Sequence, residues 1–337
     1  MKVAVLGATG HTGRMVVRAL RDRGVDVLAL GRNPEPMRAP SVEPRVADAR
    51  SEPSLRDALR DADAVANLAG PFLQVGDAPA RAALARGVPY ADSTGEQAFI
   101  ANVRRDLDAP ARQAGVPLVC ALAYEYAFSD LVVADRWPAG GRELHVLYRN
   151  RNAAGSAGTK KSILGVMGAR SLGHEDGRTR VVPTAKHVRA FPTRDGPRTG
   201  VSFPGGEILL VPRHAPFRTI RTYVPARNAR VARTLAPLGR LVLKGPILRA
   251  AQRYVDRRHR APSNAEARGE IHLVKDEERL VIHTPDPYLA TAEVMAEGIV
   301  RLANATASGA LAPSEALPAR EMLDAMARRM PTFRIEG

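Results

Sequence analysis

The chain contains a single cysteine, Cys120, among its 337 residues. One thiol excludes an intramolecular disulfide and a metal site built from several cysteines. Its apolar, strand-like surroundings, PLVCALA, favour a buried and inert thiol over a nucleophile. The histidines show no metal-ligand spacing, so no metal site is predicted. A chain with one cysteine and no disulfide is more typical of a cytoplasmic protein than of a secreted one, so a cytoplasmic location is predicted.

Long hydrophobic runs are also missing, because no stretch reaches the length of about eighteen apolar residues that a membrane-spanning helix needs. Residues 1–8 already have the pattern of a folded strand, so neither a membrane span nor a secretion signal is expected. Hydrophobic residues still make up 45% of the chain, which is enough for a core. The length suits two domains.

Positive charge is abundant but local. The formal net charge is +15, and the segment from Arg213 to Arg260 holds thirteen Lys or Arg against one acid, Asp256. A local excess does not predict a general nucleic-acid-binding surface. The favoured interpretation is an ordinary solvated face. The alternatives are an entrance for an acidic carrier protein or a CoA ester and, less favoured, a contact with an anionic membrane surface.

The first part of the chain, to about residue 120, alternates short apolar runs with helical stretches, which predicts a parallel Rossmann-type sheet. After Tyr124 the pattern changes to strands with one buried face, which predicts a largely antiparallel sheet in an inserted α+β domain. The strand candidates there are ELHVLYRN, TRVVP, GEILLVP, RTIRTYVP, GEIHLVKD and RLVIHTP. A helical interruption is predicted over about residues 228–258.

The C-terminal part begins with an amphipathic helix, YLATAEVMAEGIVRLANAT, followed by a packing segment, GALAPSEALPAREMLDAM. The predicted organisation is a nucleotide-binding domain over residues 1–123, a substrate domain over 124–285, and C-terminal helices over 286–337 that return to the first domain.

A glycine loop, GATGHTG, lies between the first predicted strand and the first predicted helix. Its three glycines suit a dinucleotide-binding turn, in which they allow a tight turn, a close approach to pyrophosphate and close helix packing. Backbone N–H groups at the start of the helix are expected to face the phosphates. The predicted cofactor residues of this loop are Gly7, Thr9, Gly10, His11, Thr12 and Gly13, with the phosphate-facing N–H groups on Gly10, His11 and Thr12.

The end of the second strand distinguishes the two dinucleotides. An NAD site needs a carboxylate there for the ribose hydroxyl groups, whereas this chain has Arg32 and no acid before Glu35. Arg32 therefore predicts NADP(H), with an exposed turn arginine as the alternative. Asp48, after the third strand, is predicted to meet the adenine edge or to cap a helix.

Further cofactor contacts are predicted at the ends of later strands. The segment LAGPF follows the fourth strand and is expected to flank the nicotinamide ribose through Ala69, Gly70, Pro71 and Phe72. Glu96 follows the fifth strand. It is predicted either to contact the cofactor or substrate or to serve as an acid in the first turn of a helix.

Several of these stretches together resemble the saccharopine dehydrogenase-like reductases, which include the trans-acting enoyl reductases. The resemblance is carried by GATGHTG, GRN, EYAFSDL, GSAGTKKS, DPYLATAE and, most specifically, NLAGPFLQVGDAPARAALARGVPYADSTGE. It implies a Rossmann domain joined to an α+β domain and NADP-dependent reduction as the usual chemistry.

A proton donor is the remaining requirement, since the cofactor of a reductase supplies the hydride. The Tyr-x-x-x-Lys pair of short-chain reductases is absent. Tyr124 and Tyr126 are the predicted donors, oriented by Glu125 or Asp130, and Lys160 is predicted to stabilise a developing enolate. The alternatives are a hydrophobic hinge in which Asp130 caps the next helix, and a solvated Lys160.

The sequence thus predicts an NADP-dependent reductase. Its substrate would be a small metabolite with a C=N or a conjugated C=C bond, free or linked to a carrier protein or CoA, and the predicted assembly is a homodimer. The alternative function is a non-catalytic NADP-binding regulatory protein.

Overall fold

The computed structural model describes residues 1–152, 171–226, 228–229, 245–258 and 266–337. Within these ranges the chain divides into two compact units. The first unit comprises Met1–Thr94, Phe99–Leu131 and Tyr288–Pro331, and the second comprises Gly95–Ala98, Val132–Pro287 and Thr332–Gly337. No helix in this described part combines the length and apolar character needed to cross a membrane.

The first unit is built on a parallel sheet of seven described strands, numbered here along the whole chain. They are β1 Lys2–Leu6, β2 Asp26–Gly31, β3 Val42–Val46, β4 Ala64–Asn67, β5 Tyr90–Asp92, β6 Pro117–Val119 and β15 Gly309–Leu311. Their order is β3-β2-β1-β4-β5-β6-β15, and every pairing is parallel. The order reverses direction between β1 and β4, which is where an open α/β sheet binds its ligand.

The described helices belong to both units. They are α1 His11–Arg21, α2 Glu52–Ala58, α3 Phe72–Val75, α4 Asp77–Arg86, α5 Gln97–Ala114, α6 Tyr124–Arg136, α7 Glu207–Leu210, α8 Gly245–Arg258, α9 Pro287–Leu302, α10 Pro313–Ala316 and α11 Ala319–Arg329. Helix α1 shows why they form: it buries Val16, Val17, Ala19 and Leu20 on one face, and the chain turns away at Gly24 with a φ of 71°.

The second unit is built on a sheet of nine described strands. They are β7 Gly141–Arg151, β8 Ser171–Glu175, β9 Arg178–Val182, β10 Val188–Phe191, β11 Arg198–Phe203, β12 Phe217–Pro225, β13 Arg268–Lys275, β14 Glu278–Thr284 and β16 Arg334–Glu336. Their order is β10-β11-β12-β7-β13-β14-β16, with β8 against β12 and β9 against β8. Only β12 and β7 run parallel, so the predicted fold class is confirmed.

One local prediction is wrong and another is incomplete. The stretch GEILLVP forms helix α7 and a 3₁₀ turn, Val211–Arg213, instead of a strand. Its side chains are buried without alternation, and a short continuous apolar run does not distinguish a strand from a buried helix. The segment predicted only to pack after α9 also contains strand β15, whose Ala310 N–H donates to Asp108 Oδ1 over 2.8 Å.

Candidate cofactor site

The first and third glycines of the loop are required by the protein's own geometry. Gly7 has a φ of 82°, in the left-handed region, and its N–H donates to the carbonyl of Leu30 over 3.1 Å. A Cβ on Gly13 would lie 2.1 Å from the carbonyl oxygen of Gly7, closer than any packing allows. Gly13 therefore lets α1 approach β1, as the dinucleotide-binding turn requires.

Gly10 is less tightly packed than Gly13. A Cβ there would lie 3.1 Å from the Gly7 carbonyl oxygen, a tight contact that requires a shift of a few tenths of an ångström, whereas a Cβ on Gly13 would overlap the backbone. The remaining space beside Gly10 fits the close approach of a pyrophosphate. The predicted role of the Gly10 N–H group is wrong, however, because it donates to Gly7 O over 2.9 Å.

The first turn of α1 provides the remaining phosphate-facing groups. His11, Thr12 and Gly13 are the first three residues of this helix, where N–H groups have no carbonyl partner within the helix and the helix dipole favours an anion. Arg14 adds a guanidinium on the same turn, its Nε donating to the Thr9 carbonyl over 3.0 Å. These residues fit a dinucleotide phosphate.

Arg32 directly follows β2 and is exposed. Among the residues that the structure describes, its side chain makes no hydrogen bond or ion pair. The nearest following acid, Glu35, is engaged by Arg38, whose Nε lies 2.6 Å from Glu35 Oε1. The strand end therefore presents an unopposed cation where a ribose 2′-substituent lies in this fold.

Asp48 lies after β3 and is exposed, with its Oδ1 accepting from the Arg50 N–H over 3.0 Å. The helix that follows is capped by Ser51, whose Oγ accepts from the Ser54 N–H over 3.3 Å. The capping alternative for Asp48 is therefore wrong, because Ser51 occupies that position. The adenine contact stays a prediction.

The loop after β4 combines an exposed and a buried part. Gly70 is exposed, Ala69 and Pro71 are half-buried, and the Gly70–Pro71 peptide is cis. The Phe72 side chain is 5% exposed and packs on Phe99, with ring centroids 5.7 Å apart. Phe72 thus anchors the loop through its ring, and its contact with the cofactor stays a prediction.

A buried polar chain beneath this loop was not found from the sequence. Asn67 holds the loop by accepting from the Ala69 N–H over 3.0 Å, and its Nδ2 donates to the Tyr90 hydroxyl over 3.0 Å. Asp92, at the end of β5, is fully buried, and its Oδ1 accepts from the N–H groups of Thr94 and Ala121. These buried hydrogen bonds connect the carboxyl ends of β4, β5 and β6.

The carboxyl of Asp92 is unusual in two respects. Burial raises its pKa to about 6, although the backbone N–H groups and the nearby Cys120 and Tyr90 side chains oppose the change. Oδ2 nevertheless has no hydrogen-bond partner of ordinary geometry in the described part of the chain. Cys120 is buried, as predicted, and burial raises the pKa of its thiol well above the usual range. A signal for Asp92 existed in the sequence: an acid that directly ends an apolar strand.

Ala121 shows how firmly this region is held. It has a φ of 62°, which is strained for a residue with a Cβ, and its N–H is bound by Asp92 Oδ1 over 3.0 Å. The next N–H, of Leu122, donates to the Asp92 carbonyl over 2.7 Å. Asp92 therefore sets the turn that leads from β6 into α6.

The predicted proton donors lie on α6. Tyr124 is fully buried and Tyr126 is 4% exposed, so both hydroxyls belong to the interior and their catalytic role stays a prediction. Glu125, between them, is half-buried, and burial raises the pKa of its carboxyl. It is the half-buried residue between the two buried tyrosines.

Asp130 has a structural contact that the sequence did not predict. It lies within α6, is fully buried, and its Oδ2 accepts from the Ser314 N–H over 2.8 Å. The prediction that it caps the next helix is wrong, since the N–H group that it binds belongs to α10, far along the chain.

Glu96 lies directly before α5, so it is not a first-turn residue of that helix, and its side chain is 3% exposed. Lys160 and residues 155–162 lie outside the described residues.

Comparisons with known proteins agree with this geometry. A family model described as NAD(P)H-binding matches residues 7–106. The structure of apo saccharopine dehydrogenase (L-Glu forming) from Saccharomyces cerevisiae is similar over 99% of both chains, with a TM-score of 0.62 and 11% sequence identity. The predicted resemblance is thereby confirmed for the fold and for a nicotinamide-cofactor domain.

A curated relative is similar over a shorter range. A lipid droplet localized protein from Caenorhabditis elegans is 30% identical over 148 residues, which are 39% of this chain and 35% of that protein. The match thus spans about a third of the length of the relative. The described residues contain no group of three or more His, Cys, Asp or Glu side chains that could hold a metal ion.

Proposed function

We propose that this chain is a pyridine-nucleotide-dependent oxidoreductase. The premise is that it combines the saccharopine dehydrogenase fold with an NAD(P)H-binding unit. The observation that carries the proposal is the glycine loop. Gly7 and Gly13 are required by the backbone, whereas a Cβ on Gly10 would make one tight contact with the protein, and the space beyond that contact suits a ligand. The helix N-terminus beside it supplies donors for an anion.

The preferred cofactor in this proposal is NADP(H). Arg32 is exposed at the end of β2 and Glu35 is engaged by Arg38, so a 2′-phosphate would meet a cation and no competing carboxylate. Guanidinium groups bind phosphate through paired, charge-assisted hydrogen bonds. The ribose of NADH would gain nothing comparable from Arg32.

Calorimetric titration with NADPH, NADH and NADP⁺ tests this preference. Arg32→Ala should weaken NADPH binding about ten- to a hundredfold, as expected for one or two hydrogen bonds to a charged group, and leave NADH binding unchanged. Arg21→Ala, which removes an exposed arginine from the last turn of α1, is the control and should change neither. Equal weakening of both dinucleotides by Arg32→Ala would contradict the NADP(H) assignment. Absence of binding by all three would remove the oxidoreductase proposal itself.

The proposed reaction is reduction of a C=N or conjugated C=C bond of a small metabolite. A bound nicotinamide supplies the hydride in such reactions. The chain's own contribution would be orientation, through the loops after β4 and β6, and a proton. Glu125 suits proton donation because burial raises the pKa of its carboxyl, which favours the protonated form.

Tyr124, Tyr126 and Lys160 remain the further proposed participants, and Asp130 an orienting residue. We also propose that the protein is a cytoplasmic homodimer and that its substrate is linked to a carrier protein or to CoA. Monitoring NADPH oxidation with panels of imines and enoyl thioesters tests the substrate class. NADPH binding without turnover on either panel would favour the alternative, a non-catalytic NADP-binding regulator.

A further inference from the structure

The segment DPYLATAE carries part of the family resemblance and lies far along the chain from the glycine loop. Its residues from Pro287 onward form the first two turns of α9. From Tyr288 to Pro331 the chain belongs to the first unit, which also contains the glycine loop and α1. The first turns of α9 are therefore placed by contacts within the nucleotide-binding unit.

Tyr288 packs on the first residue of the helix that follows the glycine loop. Its ring meets the ring of His11 edge-on, with ring centroids 4.8 Å apart and an angle of 88° between the ring planes. Aromatic rings favour this edge-to-face arrangement. Both side chains are half-buried. The contact thus joins α9 to the N-terminus of α1, where the donors proposed for the dinucleotide phosphates are found.

Ion pairs at the other end of α1 fix the direction of α9. The side chain of Arg23, which follows α1, is 6% exposed, and its Nη2 lies 2.8 Å from Glu293 Oε2. Its Nε lies 3.3 Å from Glu297 Oε2. Since Tyr288 contacts the start of α1 and the two glutamates contact a residue beyond its end, α9 runs alongside α1 in the same direction. The N-termini of both helices therefore lie together, and both helix dipoles favour an anion there.

A third contact ties the same turn of α9 to the start of α6. Thr291 is 6% exposed, and its Oγ1 accepts from the Tyr124 N–H over 3.1 Å. Helices α1 and α6 follow β1 and β6, so both begin at the carboxyl edge of the parallel sheet, where this fold binds its ligand. Tyr288 is thus held at the ligand-binding edge of the sheet by a helix that is fixed on both of its neighbours.

We propose that Tyr288 is a positioning residue of the dinucleotide site, in which its ring holds the His11 imidazole ready to donate a hydrogen bond to the diphosphate. The inference rests on the proposed function, because it requires a dinucleotide on the glycine loop. Without the Tyr288 ring, the His11 side chain regains rotamer freedom, and ordering it again reduces the binding free energy. The diphosphate is common to NADPH and NADH, so Tyr288 affects both, whereas Arg32 distinguishes between them.

Calorimetric titration of the full-length protein with NADPH and with NADH tests this role. Tyr288→Ala should weaken both dinucleotides by the same factor, about three- to tenfold, which is the range expected for one aromatic contact. Tyr288→Phe keeps the ring and should bind both as the native protein does. Tyr254→Ala is the control, because it removes the same side chain from a position in the second unit that is 59% exposed, and it should leave both affinities unchanged.

A double-mutant cycle shows whether Tyr288 acts through His11. His11→Ala should weaken both dinucleotides at least as much as Tyr288→Ala does, and adding Tyr288→Ala to it should cause no further loss. Tyr288→Leu repeats the comparison if Tyr288→Ala does not fold, since it keeps apolar bulk without the aromatic edge. Additive losses, or native affinity in the Tyr288 variants, would overturn this inference alone. Failure of the native protein to bind either dinucleotide would overturn the proposed function with it.

Discussion

Replacing Asp92 by Asn provides a direct test of the buried polar chain beneath the proposed nicotinamide loop. The amide has nearly the same shape as the carboxyl, and its oxygen can still accept from the Thr94 and Ala121 N–H groups. What the variant loses is the negative charge. Since Asp92 is fully buried and Oδ2 lacks a partner in the described part of the chain, that charge is costly to the folded state.

The magnitude follows from the pKa of Asp92. The folded-state pKa of about 6 exceeds the usual value of 3.8, so the folded protein binds this proton more tightly than the unfolded chain. The resulting stability is fully present below about pH 3.8 and is lost as the pH rises through about 6. The total loss is about 3 kcal/mol, from about 1.4 kcal/mol per unit of pKa difference. Asp92→Asn should therefore exceed native protein in stability by about 1 kcal/mol at about pH 4.5 and about 3 kcal/mol at about pH 8.

Urea unfolding followed by far-ultraviolet circular dichroism across this pH range measures the difference. Asp324→Asn is the control, because Asp324 is exposed on α11 of the same unit, and its difference from native protein should stay near zero at every pH. A stability difference for Asp92→Asn that does not grow between about pH 4.5 and about pH 8 would refute the reasoning. It would mean that the Asp92 carboxylate is not destabilised by burial.

The other predictions concern the glycine loop and the proposed proton donor. Gly13→Ala should lower the free energy of unfolding by about 1–3 kcal/mol or more, because its Cβ would lie 2.1 Å from Gly7 O, and should also abolish NADPH binding. Gly10→Ala should cost less stability than Gly13→Ala, about 1 kcal/mol or less, because its Cβ would lie 3.1 Å rather than 2.1 Å from Gly7 O, yet it should weaken NADPH binding at least about tenfold. Equal effects of the two variants on stability would contradict this distinction. Glu125→Gln should slow reduction of any substrate found in the panels about 10²- to 10⁴-fold with unchanged NADPH affinity, and native rates would exclude Glu125 as the donor.

The parts of the fold that the sequence predicted are those with a strong local pattern. Strand β1, the glycine loop and α1 follow one another within about twenty residues, and each has its own signal in apolar spacing or glycine placement. Strand β15 has only three residues and no such signal. It exists because β6 offers an unpaired edge and Asp108 fixes the Ala310 N–H, and neither fact can be seen locally.

The candidate site could also be predicted only where the pattern is local. Gly7, Gly10 and Gly13 could be assigned because their roles depend on one turn of chain. The contact of Asp130 with Ser314 joins residues 184 positions apart, so the local pattern suggested a cap on the adjacent helix instead. Asp92 was missed for a similar reason: its partner Ala121 lies in the turn that follows β6, the next strand of the sheet, and their proximity follows only from the order β4-β5-β6.

The two halves of the proposed cofactor site are built differently, and this difference suits their tasks. On the side of β2 and β3, Arg32 and Asp48 are exposed side chains on turns, which can bind a charged group but do not fix its position closely. On the side of β4, β5 and β6, Asn67, Tyr90 and Asp92 join three loops through buried hydrogen bonds. Hydride transfer depends on geometry to a fraction of an ångström, whereas recognition of a 2′-phosphate depends mainly on charge. The loops that we propose to orient the reacting groups therefore lie in the half that is held by buried hydrogen bonds, at the ends of β4, β5 and β6.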